Sequence, residues 1–323
     1  MRLRPLPRLW RTASALLATL ALLACAAPVA PPPAPPVKPS ARPPRPAAPT
    51  PPVVAQPTSQ RSAMLRSYLH EVEQAQLTQG LLRTDGGGPD TPFSAEMLAR
   101  DFEQIAFYNE YEGAFTGKGG ASPLRRWAEP VRMAVIFGDS VPPSQQRETA
   151  KTISAYASRL GRVTGHPVTM SDQPNFIVVV ASEDDRTEML AEAARRVPGV
   201  TPSSLIAMDG MRRDTYCAVA AYAAGPMPDT YTAAVAVLRS ENPDLLLKSC
   251  IHEELAQGMG LANDSPSARP SIFNDDDEFA LLTTHDELLL KMLYDPRLHI
   301  GMTAEEASAT VREIARELTG EPA

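Results

Sequence analysis

Cysteine is scarce in this chain, and long apolar runs are almost absent. Only three of the 323 residues are cysteine, and a small cysteine set of this kind makes a poor zinc site. Beyond residue 24, no apolar run is long enough to span a membrane. The chain also has no glycine-rich phosphate-binding loop, no strained serine nucleophile turn and no internal repeat. These absences argue against P-loop enzymes, α/β-hydrolases and repeat proteins.

Positive charge is in the minority. The formal net charge is −7, and four of the arginines (Arg2, Arg4, Arg8 and Arg11) precede the first apolar run. Loss of that segment would leave a net charge of −11. An acidic chain of this kind argues against nucleic acid or an anionic membrane face as the main partner.

The first 24 residues have the features of a signal peptide. A positive start is followed by a short apolar run that ends in Leu22-Leu23-Ala24-Cys25, which is too short to span a membrane. The ending resembles a bacterial lipobox, in which Cys25 is lipidated and becomes the mature N-terminus. The alternative is a plain secretory signal that is cut elsewhere. Ala26-Ala27, with no Asp after the cysteine, suggests a lipid-anchored protein of the outer membrane that faces the periplasm.

Residues 25–58 would connect this anchor to the folded part. From residue 28 the segment is rich in Pro, Ala and Val, and its only charges are Lys38, Arg42 and Arg45. Such a composition forms a semi-rigid polyproline-type tether.

Two cysteines remain if Cys25 carries lipid. In an oxidising periplasm, Cys217 and Cys250 are most simply a disulfide. It would join the helix that follows Pro243 to a strand before it. A free reactive thiol or a metal site is the weaker alternative.

The folded part alternates between strand and helix patterns. We predict a mainly helical region over residues 59–128 and an α+β domain over residues 129–323. Within the second, apolar runs and amphipathic stretches give the order β-α-β-α-β-β-α. The predicted segments are strands at 131–137, 175–180, 215–222 and 231–238, and helices at 144–160 and 185–196, before the helix that follows Pro243.

This last helix carries polar residues where an apolar surface is expected. Most of its side chains are apolar, so it should be buried, and buried carboxylates need partners. Gly260 is expected to end it in the left-handed conformation. The polar series comprises Glu253, Glu254, Gln257, Gly260, Asn263 and Asp264.

The spacing of this series resembles the zinc-protease helix H-E-x-x-H-x-x-G-x-x-H. There, histidines bind zinc, the glutamate is the general base, and the glycine lets the chain turn towards the third ligand. In the matching register Glu254 is the base and Gly260 the glycine, whereas Glu253, Gln257 and Asn263 replace the ligands. The register that begins at His252 has Ala256 as its second ligand and explains fewer positions. An ordinary buried helix is the competing interpretation.

The segment after the helix adds to this resemblance. In metzincin proteases a tight turn containing methionine lies under the metal and is followed by a closing helix. Here Ser271-Ile272-Phe273 places a phenylalanine at the methionine position. Thr284 and Glu287 have the spacing of a capping box for the next helix. The resemblance implies a zincin-like mixed sheet, a buried motif helix and a helical C-terminal lobe.

From about Phe102 to its end, the chain resembles the domain of unknown function 2927 family of bacterial lipoproteins. The resemblance supports the fold and the envelope location and implies no established activity. It is carried by Leu124-x-x-Trp127, Thr164-Gly165, Cys250-x-x-Glu253-Glu254-x-x-Gln257-x-x-Gly260-Leu261-x-Asn263-Asp264, and Pro270-Ser271-Ile272-Phe273-Asn274-Asp275.

Three functions follow from these patterns. The first is a zincin-like binding module without metal or cofactor. Its former cleft would hold an envelope protein or peptide, while Glu253 and Glu254 accept hydrogen bonds from Asn263, backbone amides or an arginine. The second is an active metal-dependent envelope hydrolase or peptidase with Glu254 as general base. The third is a structural lipoprotein. His252 is predicted to face away from Glu253, about 100° around the helix.

Overall fold

Two helices precede the sheet. The computed structural model describes residues 58–110, 119–223 and 225–321; the predicted signal peptide, Cys25 and almost all of the tether lie outside these ranges. Helix α1 spans Gln60–Thr78 and α2 spans Ala95–Ala106. The side chains of Ser59 and Ser94 accept hydrogen bonds from backbone amides of the first turns, so each helix starts at a serine N-cap.

A five-stranded mixed sheet forms the centre of the domain. The strands are β2 (Val131–Phe137), β3 (Val168–Met170), β4 (Phe176–Ala181), β5 (Cys217–Tyr222) and β7 (Ala233–Arg239). Their order in the described sheet is β3-β2-β4-β7-β5, and only β5 runs antiparallel to its neighbour there. Both β4 and β7 are buried along their whole length, which explains their continuous apolar sequences. A separate two-stranded parallel pair joins β1 (Arg126–Trp127) to β6 (Thr230–Tyr231).

Helices cover both faces of the sheet. Their bounds are α3 Pro143–Thr164, α4 Arg186–Arg196, a 3-10 turn Pro202–Leu205, α5 Ile206–Asp209, α6 Asp244–Gln257, α7 Thr284–Leu293 and α8 Ala304–Thr319. The larger core lies between one face of the sheet and helices α2, α3, α6, α7 and α8, and a smaller core lies between the other face and α4 with the short turns that follow it. Because α2 shares its core with β2 and α8, the packing continues across residue 128. None of the described helices has the length and apolar character needed to cross a membrane.

The predicted α+β class is confirmed, with corrections at short elements. The sequence patterns missed β1, β3 and β6, which have two or three residues each and are too short to show a period. The capping box of α7 is formed by Thr283 and Asp286, not by Thr284 and Glu287. Thr283 is extended and bonds reciprocally with Asp286, whereas Glu287 pairs with Arg159 at 2.9 Å.

Candidate functional site

The motif helix α6 is attached to the edge of the sheet. The structure pairs Cys217 of β5 with Cys250 of α6, with Cα atoms 5.8 Å apart, as the sequence predicted. The disulfide joins the middle of the helix to the only antiparallel strand of the main sheet. Leu247, Ile251 and Leu255 of α6 belong to the larger core, so packing and a covalent bond both fix the helix.

The end of α6 differs from the prediction. The helix ends at Gln257, and its C-cap is Gly258 in the right-handed conformation. The indole of Trp127 donates to the carbonyl oxygen of Gly258 at 2.9 Å. Gly260 lies beyond the helix with φ of +127°. A Cβ atom there would collide with the carbonyl oxygen of Arg125. Gly260 therefore permits a close backbone approach and does not end the helix, whose last residue, Gln257, lies three positions earlier.

Carboxyl groups converge beside this turn. Glu254 is 5% exposed, and its Oε2 has no hydrogen-bond partner. Burial raises the pKa of Glu254 well above its usual range, and the negative charges of Glu110 and Asp264 raise it further. Burial also raises the pKa values of Glu253 and Asp264, again reinforced by neighbouring carboxylates. Glu253, Glu254 and Asp264 form what we call the carboxyl cluster, and they hold their protons more firmly than exposed acids do.

One amide side chain of the motif bonds to a buried acid, and the other does not bond to Glu253 or Glu254 as predicted. Gln257 Nε2 donates to Asp264 Oδ1 at 3.3 Å. Asn263 Nδ2 donates to two backbone carbonyl oxygens, of Gln104 at 2.9 Å and Asp264 at 2.8 Å. The prediction that Asn263 bonds to Glu253 or Glu254 is wrong, because the turn at residues 258–262 directs its amide towards the end of α2.

The donor set does not fit zinc. The three ligand positions hold a glutamic acid with a raised pKa and two amides that already donate hydrogen bonds. Within the described ranges, no three His, Cys, Asp or Glu side chains are arranged to hold a metal ion. Zinc favours imidazole or thiolate, so no catalytic step is assigned to a metal here.

His252 is a packing residue on the far side of α6. Its ring stacks on Tyr156 with centroids 4.1 Å apart, and its Nδ1 accepts a hydrogen bond from the amide of Leu282 at 3.0 Å. Burial, together with the positive charge of Arg159, lowers the pKa of His252 to about 3. The ring is therefore neutral, and its contacts with Tyr156 and Leu282 lie away from the carboxyl cluster.

The turn at Ser271-Ile272-Phe273 is fixed by one buried carboxylate. Asp286 accepts hydrogen bonds from Ser271 Oγ at 2.6 Å, the amide of Ile272 at 3.1 Å and the amide of Thr283 at 2.9 Å. Phe273 is fully buried in the larger core, which also contains Leu255 and Met259. The turn is thus held between α6 and α7.

Two groups near the site had no signal in the sequence. Glu110 lies beyond the end of α2, and its amide donates to the carbonyl oxygen of Ala262 at 3.1 Å. Asp101 of α2 meets His285 of α7 at 3.3 Å, with both side chains fully buried. Asp101 and Glu110 are more than a hundred residues from their partners, so only tertiary packing identifies them.

Comparison with known proteins adds one finding. A family model described as "Protein of unknown function (DUF2927)" matches residues 95–313. The matched range runs from the start of α2 into α8 and includes the carboxyl cluster. No curated protein and no solved structure gives a significant match.

Proposed function

The chain belongs to the DUF2927 family of proteins of unknown function, and from this premise we propose that it is an envelope lipoprotein whose zincin-like domain binds a partner and does not hydrolyse it. The observation that carries the proposal is the carboxyl cluster, in which the buried Glu254 has no hydrogen-bond partner at Oε2 and has a pKa raised by burial and by neighbouring acids. The ligand positions beside this group hold Glu253, Gln257 and Asn263, which are not the imidazole or thiolate ligands that hold a catalytic zinc ion.

The charge around the cluster indicates the chemistry of the partner. Apart from burial, the effects that raise the pKa values of Glu253, Glu254 and Asp264 come from other carboxylates, among them Glu110. A cationic group placed beside these acids would allow them to ionise and would gain charge-assisted hydrogen bonds. We therefore expect a protein segment that presents a lysine, an arginine or a free amine.

The sheet offers a place for the rest of such a segment. Strand β5 pairs with β7 on one side only within the described sheet, and most of its residues keep partial exposure. An extended peptide can add to a sheet edge through backbone hydrogen bonds. Because Cys217 of β5 is bonded to Cys250 of α6, this edge and the motif helix are covalently linked.

The proposed envelope location is supported by one sequence prediction and one structural observation. The lipobox-like ending at Cys25 lies outside the described residues and remains a sequence prediction. The Cys217–Cys250 disulfide supports an oxidising compartment.

The first test is elemental analysis of the full-length chain purified from the envelope without chelators. We expect substoichiometric metal and unchanged folding in chelator. About one metal per chain, lost in Glu253→Ala, would overturn the metal-free assignment.

The second test addresses binding. Fluorescence anisotropy should show that eight-residue peptides with a central lysine bind more tightly than the matched alanine peptides. We expect Glu254→Gln to reduce this preference about fivefold or more, whereas Glu305→Gln, an exposed change on α8, should have no effect. Equal binding of both peptides would refute a cation-recognition site.

A hydrolase with Glu254 as general base is the second candidate. It is favoured by the fact that strongly perturbed carboxyl groups cluster at active sites. It predicts peptide or ester hydrolysis that Glu254→Gln abolishes without unfolding the domain, with Glu305→Gln as the matched control. Turnover with this pattern would replace the binding proposal.

A further inference from the structure

A long groove lies on the opposite side of α6 from the carboxyl cluster. It has a volume of about 1150 Å³ and lies between α1, α3 and the first half of α6. His252 lines it, and Glu254, about 200° further around the helix, does not. The wall formed by α3 extends from Ser144 to Arg162, which corresponds to a length of roughly 27 Å. The groove is therefore a separate surface, with room for several linked units.

The groove carries more positive than negative charge, although the chain has a net charge of −7. Its charged lining comprises the cations Arg66, Lys151, Arg159, Arg162 and Lys248 and the acids Glu148, Glu241 and Asp244. The imidazoles of His70 and His252 also line it.

Most of these cations have no carboxylate partner. Arg159 pairs with Glu287, and Arg66 donates to the carbonyl oxygen of Ser240 at 3.0 Å. Within the described part of the chain, Lys151, Arg162 and Lys248 make no ion pair.

The three lining acids offset this charge only partly. Glu241 is fully buried and accepts hydrogen bonds from Ser62 Oγ and the amide of Glu183. Four cations thus face the groove against two exposed acids, Glu148 and Asp244. The surface is suited to an anionic ligand.

The uncharged lining favours a hydroxyl-rich ligand over a helical peptide. Ser144 offers a hydroxyl group. Ser67, Gln145 and Thr152 donate to backbone carbonyl oxygens and keep their side-chain oxygens as acceptors. The large apolar residues that line the groove are buried. None of the exposed large apolar residues in the described part of the chain lines it. A peptide helix in a groove depends on apolar anchors, which this surface does not supply.

We propose that the groove between α1, α3 and α6 binds an anionic polysaccharide, a hydroxyl-rich chain that carries carboxylate or phosphate groups. The chain's own tether is a poor occupant, because its only charges between residues 28 and 58 are positive (Lys38, Arg42 and Arg45). The groove's cations would contact the acidic groups, and its hydroxyl and amide side chains would contact the sugar hydroxyls.

The test is fluorescence anisotropy of the full-length chain with a labelled ten-unit polygalacturonate at low ionic strength. We expect binding that weakens steeply with salt and no binding of neutral dextran. The double variant Lys151→Gln, Lys248→Gln should bind about five- to tenfold more weakly. The control Arg147→Gln, Lys291→Gln removes two exposed cations outside the groove and should leave affinity unchanged.

Two substitutions of opposite charge at one position distinguish a loss of binding from misfolding. Ala155 is exposed on α3 within the groove, so Ala155→Glu should abolish binding and Ala155→Lys should preserve or strengthen it. The proposal is overturned if polygalacturonate does not bind at low salt or if the control loses as much affinity as the groove variant. It is equally overturned if a ten-residue polyglutamate, anionic vesicles or a second copy of the chain occupies the groove in preference to the polysaccharide.

Discussion

Removing the disulfide tests how the motif helix is held to the sheet. The change is Cys217→Ala, Cys250→Ala, which opens a loop whose ends are 33 residues apart in sequence. In the chain-entropy model, a loop of this length is worth roughly 4 kcal/mol at 25 °C. For a domain of this size, a loss of that magnitude corresponds to a decrease in melting temperature of roughly 8–15 °C.

The local contacts of the two cysteines add little to this loss. Cys250 is buried and has Asn242 Nδ2 3.6 Å from its sulfur, whereas Cys217 is partly exposed. Alanine keeps both positions apolar, so loss of the cross-link should dominate. Because the uncrosslinked unfolded chain is more expanded, the denaturant dependence of the free energy of unfolding should also become steeper.

The assay is urea denaturation followed by circular dichroism, with and without reductant. We expect the variant to be less stable by roughly 4 kcal/mol and the wild type in reductant to lose a similar amount. The variant itself should not respond to reductant. A loss below about 1 kcal/mol, or a variant that still responds to reductant, would refute the assignment of this stability to the Cys217–Cys250 cross-link.

Three further changes test the site and its support. Because Glu254 has a raised pKa when folded, wild-type stability should fall as pH rises from about 4.5 through that folded pKa. Over this pH window, Glu254→Gln should therefore become more stable relative to wild type, by about 1–3 kcal/mol. A difference between the urea midpoints of variant and wild type that is the same at pH 4.5 and pH 8 would contradict this. Burial lowers the pKa of His285, but Asp101 and the neighbouring Asp286 outweigh burial and raise the pKa above 6.5. The stabilisation from the charged imidazolium is therefore fully present below pH 6.5 and is lost as the pH rises through the folded-state pKa. His285→Gln should thus cost roughly 3 kcal/mol at pH 5.5 and less at pH 9, and thermal melts showing the reverse order would refute the ion pair. Gly260→Ala should cost roughly 1–3 kcal/mol, since φ is +127° and a Cβ would collide with the backbone; a thermal melt identical to wild type would show that the turn relaxes freely.

Features that depend on residues close together in the sequence could be predicted. Apolar runs identified β4 and β7, because strands buried on both faces need continuous apolar sequence. The α7 cap was displaced by one residue, because two adjacent threonines each precede an acid by three positions and only packing distinguishes them.

The amino-acid sequence by itself determined the α+β order of elements, the Cys217–Cys250 pair and the polar series on α6. These features follow from local periodicity or from the small number of cysteines. Only the tertiary structure decided that Gly260 serves close backbone approach, that Asn263 bonds to the end of α2, and that distant acids surround Glu254. A carboxyl group's environment is set by burial and by charges from remote segments. Those distances exist only once the core has packed, so the spacing of residues in the sequence does not reveal them.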